Sequence, residues 1–114
     1  YGEYNVLLSQ SGADDPIVDK LITNTIGTIL TWTRINTGVY ESNTFYVPDF
    51  NTVSILYNDT DIPHQLRSRV NIIYVSANSA KISIQRFSYA NPESPVLVDG
   101  ISNQFTILMK VSNS

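Results

Sequence analysis

The residue types that could do chemistry are few, and the first to consider is His64, the only histidine of this 114-residue sequence. A Ser-His-Asp triad or a histidine-based metal site would have to use it. His64 follows Pro63 between two predicted strands and has no second histidine with which to share a metal. We therefore interpret it as a structural or surface residue.

The densest group of acidic residues is formed by Asp14, Asp15 and Asp19. Carboxylate oxygens suit Ca²⁺, and a loop can supply them. The spacing lacks the alternating Asp/Asn pattern, the glycine and the terminal glutamate of an EF-hand loop. A solvated loop is the favoured interpretation, and a calcium site that Asp59 and Asp61 could join is the alternative.

Other catalytic groups are scarce. With no cysteine, the sequence has no disulfide, no thiolate zinc site and no cysteine nucleophile. Its three glutamates are Glu3 near the start, Glu41 and Glu93 in a loop, a poor basis for the paired carboxylates of a glycosidase. The five glycines are scattered and form no phosphate-binding loop. We predict that the protein is not an enzyme and needs no cofactor, calcium being the one possible exception.

Aromatic residues are the more promising binding groups, with seven tyrosines and one tryptophan. They combine a large apolar face with a polar edge, which suits interfaces and sugar-binding platforms. Four lie within strand patterns and are typical of a core: Trp32, Tyr40, Tyr57 and Tyr74. Three lie near strand ends and loops, and we predict these as binding residues: Tyr46, Phe50 and Tyr89.

The elements that must position these residues follow a period of two, which is typical of β-strands. Eight segments have this pattern: Glu3–Gln10, Ile17–Asn24, Gly27–Arg34, Thr37–Tyr46, Thr52–Asn58, Arg69–Ser76, Ala80–Ser88 and Gln104–Val111. Loop-forming residues separate them, and Ala77-Asn78-Ser79 predicts a hairpin turn. The one helical candidate is a short turn around Ile62–Ser68. The pattern predicts one domain over residues 1–114, an antiparallel β-sandwich of about eight strands with jelly-roll or immunoglobulin-like topology.

Composition narrows the class further. Charged residues make up 15% and the net charge is −3, whereas Ser, Thr and Asn together number 34 of the 114 residues, a mixture that favours strands and turns. Without clustered Lys and Arg, nucleic-acid binding is not expected. No apolar run approaches 18 residues, so no membrane-spanning helix is predicted.

The missing cysteines favour a bacterial, viral or cytosolic origin over a secreted animal one. The chain begins at Tyr1 without a methionine, so a leader segment could have been removed.

The first forty residues carry a recognisable set of motifs. They read Tyr4-Asn5-Val6-Leu7-Leu8-Ser9-Gln10-Ser11-Gly12 and Pro16, then Leu21 with Asn24-Thr25-Ile26-Gly27, then Thr31-Trp32-Thr33-Arg34 and Gly38-Val39-Tyr40. This pattern resembles a group of short β-proteins encoded by bacteriophages and prophage-like regions of Bacteroidetes-type hosts. The resemblance covers about a third of the chain. It implies a small virion or tail-associated structural protein built as a β-sandwich, and it implies no catalytic residue.

Together these observations predict a non-enzymatic structural protein located in a virion. Its partners would be copies of itself, with a trimer as one arrangement, and other virion proteins. The alternative is a carbohydrate-binding module, extracellular or on a cell surface, that uses exposed aromatic residues to bind surface glycans with or without Ca²⁺.

In the turns, we expect positive φ angles at Asn24 and Gly27.

Overall fold

The protein is an all-β sandwich, as seen in a computed structural model that describes residues 2–48, 53–58, 66–91 and 93–111, with the backbone alone for residues 102–104. The described residues form ten strands: β1 (Gly2–Gln10), β2 (Ile17–Asn24), β3 (Trp32–Asn36), β4 (Val39–Ser42), β5 (Phe45–Tyr46), β6 (Val53–Asn58), β7 (Leu66–Ser76), β8 (Ser79–Ser88), β9 (Val96–Leu97) and β10 (Ile101–Val111). The predicted fold class is confirmed.

The first sheet has four antiparallel strands in the order β2-β1-β10-β6. The N-terminal and C-terminal strands are neighbours in its centre, where Tyr4 lies opposite Met109 and Leu8 opposite Phe105. The strands β2 and β6 form its two edges. Two register shifts between β1 and β2 leave Asp19 and Ile22 as extra residues in β2, which are the marks of β-bulges.

The second sheet is built around β8. The long strand β7 pairs with it from Leu66 opposite Ser88 to Ser76 opposite Ser79. Three short strands share the other edge of β8 in succession, β5 at its start, β4 in its middle and β9 at its end. The strand β3 pairs with β4 and forms an outer edge.

The core lies between the inner faces of the two sheets. Strand β1 places Tyr4, Val6 and Leu8 there at every second residue, as the period-two pattern requires. Strand β10 contributes Phe105, Ile107, Met109 and Val111, and β8 contributes Ala80, Ile82 and Ile84. Burying these side chains removes apolar surface from water, which is the main force that holds the two sheets together.

Two predicted strands are shorter than expected, and side chains explain both. Residues 27–31 lie in a loop that precedes β3. Asn43 holds this loop, because its Oδ1 accepts from Thr31 N at 2.8 Å and its Nδ2 donates to Ile29 O at 3.0 Å. The predicted strand Thr37–Tyr46 is divided into β4 and β5 at Asn43 and Thr44. There Ser42 Oγ accepts a hydrogen bond from Ile82 N at 2.9 Å, in place of a backbone carbonyl.

The observed turns match the turns predicted from the sequence only in part. Residues Ala77 and Asn78 form the predicted hairpin turn, and Gly27 has φ of +87°. The expectation for Asn24 was wrong, since the described residues other than glycine have no positive φ. Its side chain acts instead, donating to Thr28 O at 2.9 Å and accepting from Ile26 N at 3.3 Å, the local bonding that Asn favours in turns.

Two further differences concern the second half of the chain. Strand β7 begins at Leu66, so the helical turn predicted around Ile62–Ser68 is wrong for its last three residues, and residues 62–65 lie outside the described part. The short strand β9 was not predicted. Where the structure describes the chain, it contains no helix of the length and hydrophobicity needed to cross a membrane.

Candidate functional site

The main cluster of hydrogen-bonded polar side chains in the described residues lies at one end of the sandwich, and we call it the Asp99 network. It consists of Gln10 at the end of β1, Arg34 on β3, Tyr40 on β4 and Asp99 in the loop between β9 and β10. These residues come from distant parts of the sequence, and the folding of both sheets brings them together.

Asp99 is the centre of the network. Its Oδ1 accepts from Gly38 N at 2.9 Å, from Arg34 Nε at 3.1 Å and from the Tyr40 hydroxyl at 2.7 Å. Its Oδ2 accepts from the Arg34 guanidinium at 2.9 Å. The pair with Arg34 is therefore bidentate, the geometry in which an arginine holds a carboxylate most strongly.

Gln10 connects the network to the first loop. Its Nε2 donates to Gly12 O at 2.9 Å and to Asp14 O at 2.8 Å, so the amide orientation is fixed. Its Oε1 accepts from Gly100 N at 2.7 Å and lies 2.7 Å from the Tyr40 hydroxyl, whose single proton is shared between Gln10 and Asp99. One buried side chain thus joins the loop after β1 to the loop before β10, which satisfies backbone groups that would otherwise be unpaired.

The pKa shifts at this site do not suit general acid–base chemistry near neutral pH. The Arg34 guanidinium, helped by the Gly38 N–H and the Tyr40 hydroxyl, holds the pKa of Asp99 well below its usual value. Burial, helped by the negative charge of Asp99, raises the pKa of Tyr40 well above its usual value. A general acid or base works best with a pKa near the working pH. Here the carboxylate is too weak a base and the phenol too weak an acid.

Gly38 allows the chain to close around the network. It has φ of +69°, and a Cβ at this position would lie 2.8 Å from Arg86 O and from Val98 N. These backbone atoms are themselves bonded, Val98 N donating to Arg86 O at 3.0 Å. Only glycine combines a positive φ with so close an approach of backbone.

We expect Tyr40→Phe to lower the free energy of unfolding by about 1–2 kcal/mol, because Asp99 and Gln10 lose a buried donor while the ring stays in place. Urea denaturation would measure the loss. Tyr57→Phe is the matched control, since Tyr57 is 42% exposed and we expect its change to stay within about 0.5 kcal/mol. Equal losses in the two variants would contradict the role assigned to the Tyr40 hydroxyl.

The predicted calcium ligands are not brought together. Asp14 lies in the loop after β1, Asp15 Oδ1 accepts from Arg34 N at 2.8 Å, and Asp19 is exposed on β2. Across the described ranges there is no group of three or more His, Asp or Glu side chains placed to hold a metal ion. The calcium site stays a prediction that these contacts do not support, and Asp59 and Asp61 lie outside the described residues.

The predicted aromatic binding residues do not form one site either. Tyr46 lies opposite Ser79 at the start of β8 and is 52% exposed. Tyr89 follows the last residue of β8 and is half-buried. Since a strand rises about 3.3 Å per residue, β8 separates them by about 30 Å. Phe50 and His64 lie outside the described residues.

No family model, curated protein or solved structure matches this chain. Its function must therefore be argued from its own surface and from the resemblance in its first forty residues.

The surface feature that stands out is exposed apolar side chains, of which fourteen large ones lie among the described residues. Four belong to the edge strand β2, where Ile17, Val18, Leu21 and Ile22 are between 38% and 59% exposed. Val18 and Leu21 lie opposite the core residues Leu8 and Val6, so they share the inner side of the sheet yet remain uncovered. Exposed apolar surface on an edge strand is typical of an interaction site.

The sequence analysis missed Gln10, Arg34, Asp99 and the fully buried Arg86. Two signals were present. Gln10 continues the inward series of Tyr4, Val6 and Leu8, and Arg86 continues the inward series of Ile82 and Ile84. A polar residue at an inward strand position needs a buried partner. Arg86 finds Gly100 O and Ser68 Oγ, both at 2.9 Å.

Proposed function

We propose that this chain is a non-enzymatic structural protein of a bacteriophage virion that works by association with copies of itself and with other virion proteins. The observation that supports self-association is the apolar edge of β2. Four large apolar side chains within six residues stay exposed there, although covering them would gain free energy in proportion to the area removed from water.

The edge of β2 also carries features that limit how it can be covered. Asp19 and Lys20 are exposed in its centre, and two bulges interrupt its pairing with β1. Charges and bulges on an edge strand disfavour open-ended addition of further strands. The contact we propose is therefore side-chain packing in a closed homo-oligomer, for which a trimer is one arrangement.

The absence of enzymatic activity is the second element of the proposal. The Asp99 network is fully used in holding loops together, and its pKa shifts move away from neutrality. Low charge, 15% of residues, suits a surface that is largely covered in an assembly. The assignment to a virion is supported by the resemblance of the first forty residues to phage β-proteins.

Replacing Leu21 and Ile22 together by threonine tests the interface. We expect the dissociation constant of the oligomer to rise at least about tenfold, since two apolar side chains leave the contact and about 1.4 kcal/mol corresponds to a factor of ten. Sedimentation velocity over a range of protein concentrations would measure the change. Threonine is β-branched, a shape that strands favour, so the fold should persist.

The matched control is Ile29→Thr. Ile29 is 82% exposed and lies in the loop before β3, outside the apolar segment Ile17–Ile22. We expect no change in its dissociation constant. An unchanged oligomer in the β2 variant, or equal weakening in the Ile29 variant, would contradict the assignment of β2 as the interface.

A further inference from the structure

Two arginines and two aromatic rings lie together on the outer face of the second sheet. Arg67 on β7 is directly opposite Phe87 on β8, which is in turn opposite Leu97 on β9. Residues directly opposite each other in a sheet point to the same side. Arg69 is two residues further along β7 and shares that side. We call Arg67, Arg69, Phe87 and Tyr89 the arginine–aromatic surface.

Phe87 contacts two of the other three side chains, Arg69 and Tyr89. The Arg69 guanidinium carbon lies 5.7 Å from the centre of the Phe87 ring, within the range of a cation–π interaction. The Tyr89 ring lies 6.3 Å from the Phe87 ring at 55°. Both arginines are exposed, and both rings are half-buried. Stacking on Phe87 orients the Arg69 guanidinium group and leaves its N–H donors available to a ligand.

The charge balance makes this pair unusual in an acidic protein. Of the seven cationic side chains, three face a carboxylate and a fourth is fully buried: Arg34, Lys81, Lys110 and Arg86. Neither Arg67 nor Arg69 has a carboxylate at ion-pair distance among the described residues, and Arg67 donates to the backbone oxygen of Leu66. Both guanidinium groups are therefore available on the same side of β7, on residues whose Cα atoms are about 7 Å apart.

We propose that the arginine–aromatic surface binds an acidic sugar, namely a uronate unit of a polysaccharide. A guanidinium fork matches a planar carboxylate and donates two parallel hydrogen bonds to it. The C–H groups on one face of a pyranose ring are apolar and pack against an aromatic face such as Tyr89 or Phe87. The half-buried amide of Gln85, on the same side of β8, suits a sugar hydroxyl.

The same observations disfavour nucleic acid as the ligand. A nucleic-acid surface neutralises many phosphates with clustered cations, whereas this chain has a net charge of −3 and two available arginines at the site. A polyuronate carries one carboxylate per sugar unit, and two guanidinium groups are enough to bind the carboxylates of one or two units. This inference goes beyond the proposed self-association and does not depend on it.

Isothermal titration of the full chain with tetragalacturonate tests the proposal. We expect binding that weakens when NaCl is raised from about 50 mM to about 200 mM, because exposed ion pairs are screened. Fully methyl-esterified tetragalacturonate, which keeps the rings but lacks the charges, should bind at least about tenfold more weakly. No binding of the acidic tetramer at the lower salt, or equal affinity for the ester, would overturn the proposal.

Variants locate the site. Arg69→Gln should weaken binding at least about tenfold, and Arg67→Gln with Arg69→Gln should abolish it. Lys110→Gln is the matched control, since it removes one exposed cation from the first sheet, outside β2, and its affinity should stay that of the wild type. Circular dichroism melting would show that the variants remain folded. Equal weakening by Lys110→Gln, or tighter arginine-dependent binding to single-stranded DNA of the same charge, would overturn the assignment.

Light scattering on the same samples separates this inference from the proposed function. An oligomer that does not bind tetragalacturonate would contradict the sugar site alone. A monomer that binds it would contradict self-association alone.

Discussion

Replacing Phe105 by alanine should lower the free energy of unfolding by about 3–5 kcal/mol, the usual cost of removing a buried phenylalanine. Phe105 lies on the inner face of β10, has no exposed surface, and faces Leu8 of β1 across the centre of the first sheet. Its ring lies 6.2 Å from that of Tyr57 on β6. Denaturant unfolding monitored by circular dichroism would measure the loss.

Leu108→Ala provides the control within the same strand. Leu108 lies on the outer face of β10 and is half-buried, so we expect a loss below about 1.5 kcal/mol. The contrast tests the alternation on which the sandwich depends, because a one-residue change of register would exchange the two faces. A larger loss for Leu108→Ala than for Phe105→Ala would show that the faces are assigned wrongly.

Asp99→Asn should produce the second large effect, a loss of about 2 kcal/mol at neutral pH. Arg34 loses its carboxylate partner, and the Tyr40 hydroxyl and Gly38 N–H lose a charged acceptor. Hydrogen bonds to charged groups contribute about 1.5–3 kcal/mol, and the lower part of that range applies because Asp99 retains some contact with water.

The same variant has a pH signature. The pKa of Asp99 is lower in the folded protein than the ordinary value of 3.8, so the folded state prefers the ionised form. Its contribution to stability is complete above the unfolded pKa and is lost as the pH falls from about 5 through the folded pKa. We expect the free energy of unfolding of Asp99→Asn to fall less steeply than that of the wild type as the pH is lowered below about 5.

Asp19→Asn is the control for the pH measurement. Asp19 is exposed on β2, and its replacement should leave the slope of stability below about pH 5 close to that of the wild type. Urea titrations at a series of pH values would compare the three proteins. An acid limb equally steep in Asp99→Asn and wild type would contradict the role of the Asp99 network.

The alternation of side chains was sufficient to predict the fold class and most strands. Strands β1, β2, β6, β8 and β10 lie where the period-two segments predicted them. For β1, β8 and β10 the reason is that alternate side chains enter the core. The divisions at residues 27–31 and 43–44 were not predicted, since they depend on hydrogen bonds from Asn43 and Ser42 to partners distant in sequence. Local propensity carries no information about such partners.

The candidate sites were harder to predict for the same reason. Asp99 and Arg34 are 65 residues apart and meet only when both sheets are formed. Arg69 and Phe87 become neighbours through the register of β7 and β8, which the sequence does not specify residue by residue. Tyr46 and Tyr89 lie near strand ends, as their surroundings predicted, but the length of β8 separates them.

The proposed function depends on whether the uncovered side chains of β2 find a partner in a second copy of the chain. Size-exclusion chromatography with multi-angle light scattering measures this directly, since one chain has a mass of 12.7 kDa. We predict a single species with a mass of two or more chains, which stays constant on dilution through the micromolar range. A mass of one chain at every concentration would contradict self-association.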